Sequence, residues 1–254
     1  MTTRNGQENP VVKMENITMR FGRVTALEDV DFEVRRPEVM ALLGDNGAGK
    51  STLIKILTGV HTPTNGQIYI EGQPVHIRTP HDARVLGIET AYQDLALVNS
   101  MSIGRNFFLG REPTRPIGPF RWLDVRRMVK ETGRALADIG INVRSANEKV
   151  GKLSGGERQS IAIGRAVHFG VKLLILDEPT SALSVAESRK VLEYTLNAKE
   201  RGLSVIFITH NVHHVMQVAD RYTIIRHGKN VGTYNRADLS EGDISDLITG
   251  ERES

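Results

Sequence analysis

The chain has no cysteine among its 254 residues, which excludes disulfides and thiolate chemistry and suits a reducing compartment. It also lacks any apolar run near the ~18 residues needed to span a bilayer. The longest run, Leu173 to Leu176 with its neighbours, has the length of a buried strand. The N-terminus, Met1 to Pro10, has no apolar h-region and so is not a secretory signal; it reads as a disordered tail. A dominant charge sign is missing too. Lysine and arginine number 33 against 30 aspartates and glutamates, a surplus too small for a nucleic-acid footprint, so no nucleic-acid partner is expected. There is no internal repeat, low-complexity tract or heptad array. These absences leave a soluble cytoplasmic protein, or a peripheral one held to a membrane by a partner. The length allows one domain, or one domain with a sizeable insert.

What is present reads as alternating strands and helices. Val11 to Met19 and Asp31 to Val34 alternate apolar and polar residues, as half-buried strands do. Val39 to Leu43 is continuously apolar, which suits a central strand covered on both faces. Leu53, Ile54, Ile56 and Leu57 then read as a buried helix stopped at Gly59. Asn65-Gly66 before Ile68 to Ile70 is a hairpin signal. From about Ser100 to Gly170 the texture is helical. Val125, Met128, Val129, Thr132, Leu136 and Ile139 recur at helical spacing, and the proline-rich stretch Pro113 to Pro119 separates them from Ile103 to Leu109. Leu173 to Leu176 and Val205 to Ile208 are again buried strands. Between them lies a helix over about Val185 to Lys199, for which Ser184 and Glu187 form a capping box. Arg221 to Tyr234 reads as a hairpin turning at His227-Gly228-Lys229, and a short helix closes the chain from Ser240. The expected organisation is an α/β parallel-sheet core interrupted by a helical subdomain.

Two glycine-rich segments carry the chemistry. Gly44-Asp45-Asn46-Gly47-Ala48-Gly49-Lys50-Ser51, followed by Thr52, is a P-loop lying after a buried strand and before a helix. Its glycines let backbone N–H groups turn towards phosphates. Lys50 can reach the β- and γ-phosphate oxygens, and Ser51 can ligate Mg²⁺. The strand Leu173 to Leu176 ends in Asp177-Glu178, the Walker B arrangement. There Asp177 would hold Mg²⁺, and Glu178 would orient and deprotonate the attacking water. Further along the helical stretch, Ser154-Gly155-Gly156-Glu157 is a capping box opening a helix whose bare N-terminus could face an anion. His213 and His214 after His210 could suggest a metal site, since His-x-x-His occurs as a ligand pair, but no further ligand cluster lies nearby, so they read as helix surface.

Leu153 to Gln159 resembles the signature peptide of the ATP-binding cassette ATPases, and the resemblance covers the chain from Val11 to Gly250. It implies a P-loop NTPase core over 11–95 and 171–250, an N-terminal antiparallel β subdomain, and a helical subdomain over about 96–170. By the same resemblance Phe21 stacks on adenine, and Gln93 senses Mg²⁺ and couples to a transmembrane partner. His210 contacts the γ-phosphate, and Ser154 to Glu157 close over ATP held by a second copy of the chain. One position departs from the pattern: Ser184 stands where the family commonly has an aspartate that helps bridge the two copies.

Leu86 to Leu97, continuing to Asn106-Phe107-Phe108-Leu109-Gly110-Arg111-Glu112-Pro113, is similar to the pentose/hexose class of bacterial sugar importers. That likeness implies a monosaccharide-import ATPase acting as a homodimer at the cytoplasmic face of the inner membrane. Its partners would be a permease and, indirectly, a periplasmic sugar-binding protein. The alternatives are an importer of another solute, an exporter subunit, or a soluble cassette ATPase acting on nucleic acid or ribosomes.

Overall fold

The computed structural model describes residues 9–91, 97–181 and 183–251. The first half runs through β1 (Val12–Phe21), β2 (Val24–Val34), β3 (Val39–Leu43), α1 (Lys50–Leu57), β4 (Asn65–Ile70), β5 (Gln73–Val75), α2 (Pro80–Val85) and β6 (Ile88–Ala91). The middle holds α3 (Ile103–Phe107), β7 (Thr114–Ile117), β8 (Phe120–Leu123), α4 (Val125–Asp138) and α5 (Gly155–His168). The chain ends with β9 (Leu173–Asp177), α6 (Val185–Glu200), β10 (Ser204–Ile208), α7 (Val212–Val218), β11 (Arg221–Arg226), β12 (Lys229–Asn235) and α8 (Glu241–Thr249).

β3 is apolar throughout because both of its faces are covered. Val39, Ala41 and Leu43 point into one core with α4, α5 and α6, while Met40 and Leu42 point into a second core with α1, β1 and β2. The same alternation splits β9, where Leu174 and Leu176 face the helices and Leu173 and Ile175 the other side. β3 sits inside a six-stranded sheet of order β12-β11-β3-β10-β9-β6. All neighbours there pair in parallel except the edge hairpin β11–β12. A separate antiparallel sheet, β2-β1-β4-β5, closes the second core. The fold is thus the P-loop NTPase α/β arrangement with an antiparallel sheet at its N-terminal end.

Three local expectations need correction. Asn65-Gly66 is not a hairpin turn: both residues open β4, and Asn65 pairs with Thr18 of β1. Gly66 (φ 103°) packs there against the Glu15 and Asn16 carbonyls, so its left-handed conformation serves a close strand approach. The hairpin turns instead at Glu71 and Gly72, both with positive φ. The stretch 113–119 is not simply a separator. It forms the first strand of the β7–β8 hairpin, which lies outside both main sheets; a strand of four residues containing a proline has no periodicity to betray it. Finally, His214 is not free helix surface, because its Nδ1 lies 2.9 Å from the Thr180 hydroxyl. Burial, then the neighbouring His213, lowers its pKa.

Candidate functional site

The site begins where β3 ends. Gly44 has φ 148°, and a Cβ there would lie 2.1 Å from the Ile225 carbonyl oxygen, so only glycine fits. The loop then delivers Gly49 as the N-cap of α1, with φ 113° and no side-chain cap. The first N–H groups of α1 therefore keep no side-chain acceptor, which is the arrangement that receives an anion at a helix start. The Lys50 ammonium donates to the carbonyls of Gly44 (2.7 Å) and Asp45 (2.9 Å), which brings the cation over the loop. Burial lowers its pKa, opposed by the carboxylates of Glu178, Asp45 and Asp177.

The loop floors a cleft of about 460 Å³ lined by residues 46–52, by Val24, Thr25 and Ala26, and by His227 and Gly228. The last two groups were not legible as site residues. The β11–β12 turn is docked on the loop by Gly228 N–H donating to the Ala48 carbonyl at 2.9 Å, and by Glu28 N–H donating to the Gly228 carbonyl at 2.8 Å. His227-Gly228 carries a turn signal and nothing that links it to residue 48. Phe21 stands at the tip of the β1–β2 hairpin, 44% exposed, its ring edge-on to His61 at 5.3 Å. It does not line the cleft, although its cross-strand partner Val24 does.

The second half of the site comes from sheet order. β3 and β9 flank β10 in parallel, so their carboxyl ends share one edge, and Ile208 pairs with Leu42 on one side and Asp177 on the other. The P-loop, Asp177-Glu178 and Thr209-His210 follow those three strands. Burial raises the Asp177 pKa first and Glu178 adds to it, while Lys50 and Lys55 oppose the rise. Two adjacent carboxylates in a partly desolvated pocket are short of positive charge, and hard oxygen donors of this kind fit a divalent cation.

Glu178 is held with unusual care. Its backbone is left-handed, φ 49°, a conformation that costs a non-glycine residue ~1–2 kcal/mol. Its N–H donates to the Ile208 carbonyl at 2.9 Å. The Thr209 hydroxyl donates to one carboxylate oxygen (3.1 Å), and the His210 N–H to the other (3.2 Å). His210 Nδ1 lies 2.8 Å from that second oxygen, while its ring is largely exposed. The structure thus joins Glu178 and His210 directly, a contact between residues 32 positions apart.

Ser154 is the N-cap of α5. Its hydroxyl accepts from the Glu157 N–H at 3.3 Å, and Glu157 accepts from the Ser154 N–H at 2.8 Å. None of residues 154–157 lines the cleft of this chain. Gln93 lies outside the described residues. Among the described residues no group of three or more His, Asp or Glu side chains is placed to hold a metal ion, and no helix is long and apolar enough to cross a membrane.

A parallel sheet whose central strand feeds a glycine-rich loop into a helix, with paired carboxylates two strands away on the same edge, defines a P-loop nucleotide-binding protein. Residues 27–181 match the family model described as ABC transporter. The chain is 44% identical to the fructose import ATP-binding protein FrcA of Rhizobium meliloti over 97% of this chain and 96% of that protein. It is 44% identical to the xylose/arabinose import ATP-binding protein XylG of Sulfolobus acidocaldarius over 94% of each. The chain belongs to the ABC transporter family and is one of its ATPase cassettes. Its fold is that of MJ1267, an ATP-binding cassette of an ABC transporter solved in its ADP conformation, with TM-score 0.80 at 23% identity over 94% of this chain and 95% of that one.

Proposed function

We propose that this protein is the energy-coupling subunit of a monosaccharide importer, hydrolysing ATP to drive a partner permease. The near full-length likeness to two sugar-import ATP-binding proteins carries the assignment. The cleft supplies its chemistry. The loop from Gly44 to Thr52 receives the triphosphate with its backbone N–H groups, and Lys50 meets the β- and γ-phosphate oxygens. Ser51 and Asp177, with Gln93, would hold Mg²⁺, which when bound neutralises charge on those oxygens. Phe21, at the neighbouring hairpin tip, would stack on adenine, a role that rests on family likeness alone.

Glu178 accepts a proton from water as the water oxygen bonds to the γ-phosphorus and the bond to the β–γ bridging oxygen breaks. Thr209 and the His210 backbone hold the carboxylate still for that step, and His210 contacts the γ-phosphate. Because Ser154 to Glu157 do not reach this chain's own cleft, their helix start serves ATP on a second copy, so the active unit is a homodimer. By family likeness Gln93 couples hydrolysis to the permease at the cytoplasmic side of the membrane, with a periplasmic sugar-binding protein beyond it.

Reconstitution with the cognate permease in liposomes tests this reading. Uptake of one pentose or hexose from a panel, dependent on ATP, is the expected result. ATP-driven movement of a different solute class, or movement outwards, would overturn the sugar-import assignment. Replacing Ser154 by Ala should lower hydrolysis while nucleotide binding by the isolated chain stays unchanged, measured by ATP titration of each variant.

A further inference from the structure

Glu178 is gripped at its carboxylate, and the loop that follows it is gripped as well. Its left-handed backbone, φ 49°, is a conformation that persists only where the surroundings over-determine it. On one side the Glu178 N–H donates to the Ile208 carbonyl at 2.9 Å. On the other its own carbonyl accepts from the Ser181 N–H at 3.1 Å and the Ser181 hydroxyl at 2.9 Å. Within that turn Thr180 is only 7% exposed, and its hydroxyl lies 2.9 Å from His214 Nδ1. His214 stands in the first turn of α7, where its N–H donates to Oδ1 of the N-cap Asn211 at 3.1 Å. The Asn211 N–H donates at 3.1 Å to the Thr209 hydroxyl, the same hydroxyl that donates to the Glu178 carboxylate. A closed circuit therefore runs from the Glu178 carboxylate through Thr209, Asn211, His214 and Thr180 back to the Glu178 backbone.

We infer that His214 is a positioning residue for ATP hydrolysis, fixing through Thr180 the loop that leaves Glu178 so that the carboxylate stays aimed at the attacking water. Thr209 and the His210 backbone hold the carboxylate from the end of β10. His214 holds the backbone behind it from α7. Both holds come from the short stretch 209–214, so the two ends of Glu178 keep one fixed relation. The bond serves either tautomer of the imidazole, because a threonine hydroxyl can donate to a ring nitrogen or accept from its N–H. His214 does not line the cleft, and its effect passes through Thr180. The inference rests on the reading of Glu178 as the general base. A displacement of ~1 Å in a group that meets the reacting atoms costs up to roughly a hundredfold in rate.

The test compares His214→Ala with His214→Asn, whose amide takes the place of Nδ1 and can donate or accept, and Thr180→Val with Thr180→Ser. Thr79→Ala, which removes the N-cap of α2 outside the cleft, is the stability control. Each full-length variant, and the double variant His214→Ala with Thr180→Val, is measured for kcat and KM on ATP, for equilibrium ATP binding and for Tm. His214→Ala and Thr180→Val should each lower kcat roughly ten- to a hundredfold with ATP affinity unchanged. His214→Asn and Thr180→Ser should recover most of that loss. The double variant should lose no more than either single one, because both substitutions remove the same bond. Thr79→Ala should lower Tm with kcat intact. Parental kcat in His214→Ala, no recovery in either conservative variant, or losses that multiply in the double variant would overturn the inference. So would a kcat loss in Thr79→Ala matching that of His214→Ala at equal Tm. Parental hydrolysis in Glu178→Gln would instead sink the general-base reading on which the inference stands.

Discussion

Glu178→Gln is expected to bind ATP as the parent chain does and to lose ~10²–10⁴-fold in kcat, the range that a positioned general base contributes. The substitution keeps the shape of the side chain. Its amide oxygen can still accept from the Thr209 hydroxyl or the His210 N–H, which hold the carboxylate at 3.1 and 3.2 Å. What it loses is the ability to take a proton from water. The P-loop contacts do not involve residue 178, so Lys50 and the α1 N-terminus remain in place. Single-turnover hydrolysis and equilibrium ATP titration separate the two quantities. Hydrolysis at the parental rate would remove Glu178 from the mechanism, and loss of ATP binding would show that the residue supports the fold of the cleft instead.

Gly44→Ala should abolish ATP binding and lower Tm, whereas Gly47→Ala should do much less to stability. Both glycines have positive φ, 148° and 77°. The difference lies in what a Cβ would meet. At Gly44 it would lie 2.1 Å from the Ile225 carbonyl oxygen, which is backbone in the adjacent strand β11 and cannot swing away. At Gly47 there is nothing within 4 Å. The second substitution therefore costs the backbone penalty alone, ~1–2 kcal/mol for a left-handed residue. The first adds a steric term of ~1–3 kcal/mol, the usual size when a packed site is overfilled. It also pushes β11 and its turn at His227-Gly228 off the loop, opening the wall of the cleft. Thermal unfolding of the two variants side by side checks the difference. Equal Tm losses would mean that β11 yields freely.

Much of this molecule is written locally. The P-loop, the carboxylates after β9 and the serine-capped starts of α5 and α6 are short patterns whose meaning depends on residues within a few positions of one another. The continuous apolar runs of β3, β9 and β10 likewise announce strands buried on both faces. Where local chemistry misled, a competing requirement explains it. Asn65-Gly66 has turn composition, yet the approach of β4 to β1 uses the glycine for strand contact. The β7–β8 hairpin is not legible in the sequence because four exposed residues per strand give no alternation to read. His214 reads as surface in the sequence because its partner, Thr180, is 34 residues distant.

The sequence by itself determined that this chain holds a nucleotide-binding loop before a helix, paired carboxylates after a buried strand, and a second glycine-opened helix. It did so because hydrogen-bond capping, glycine conformation and apolar periodicity act between near neighbours in the chain. Only the tertiary structure decided that β10 lies between β3 and β9, which brings Gly44, Glu178 and His210 to a single sheet edge. It alone set Glu178 in a left-handed backbone against His210, walled the cleft with residues 24–26 and 227–228, and seated Glu187 on Gly156. Those arrangements are contacts between distant segments. They follow from which strands pair and which helices pack, and no single stretch of the chain encodes that.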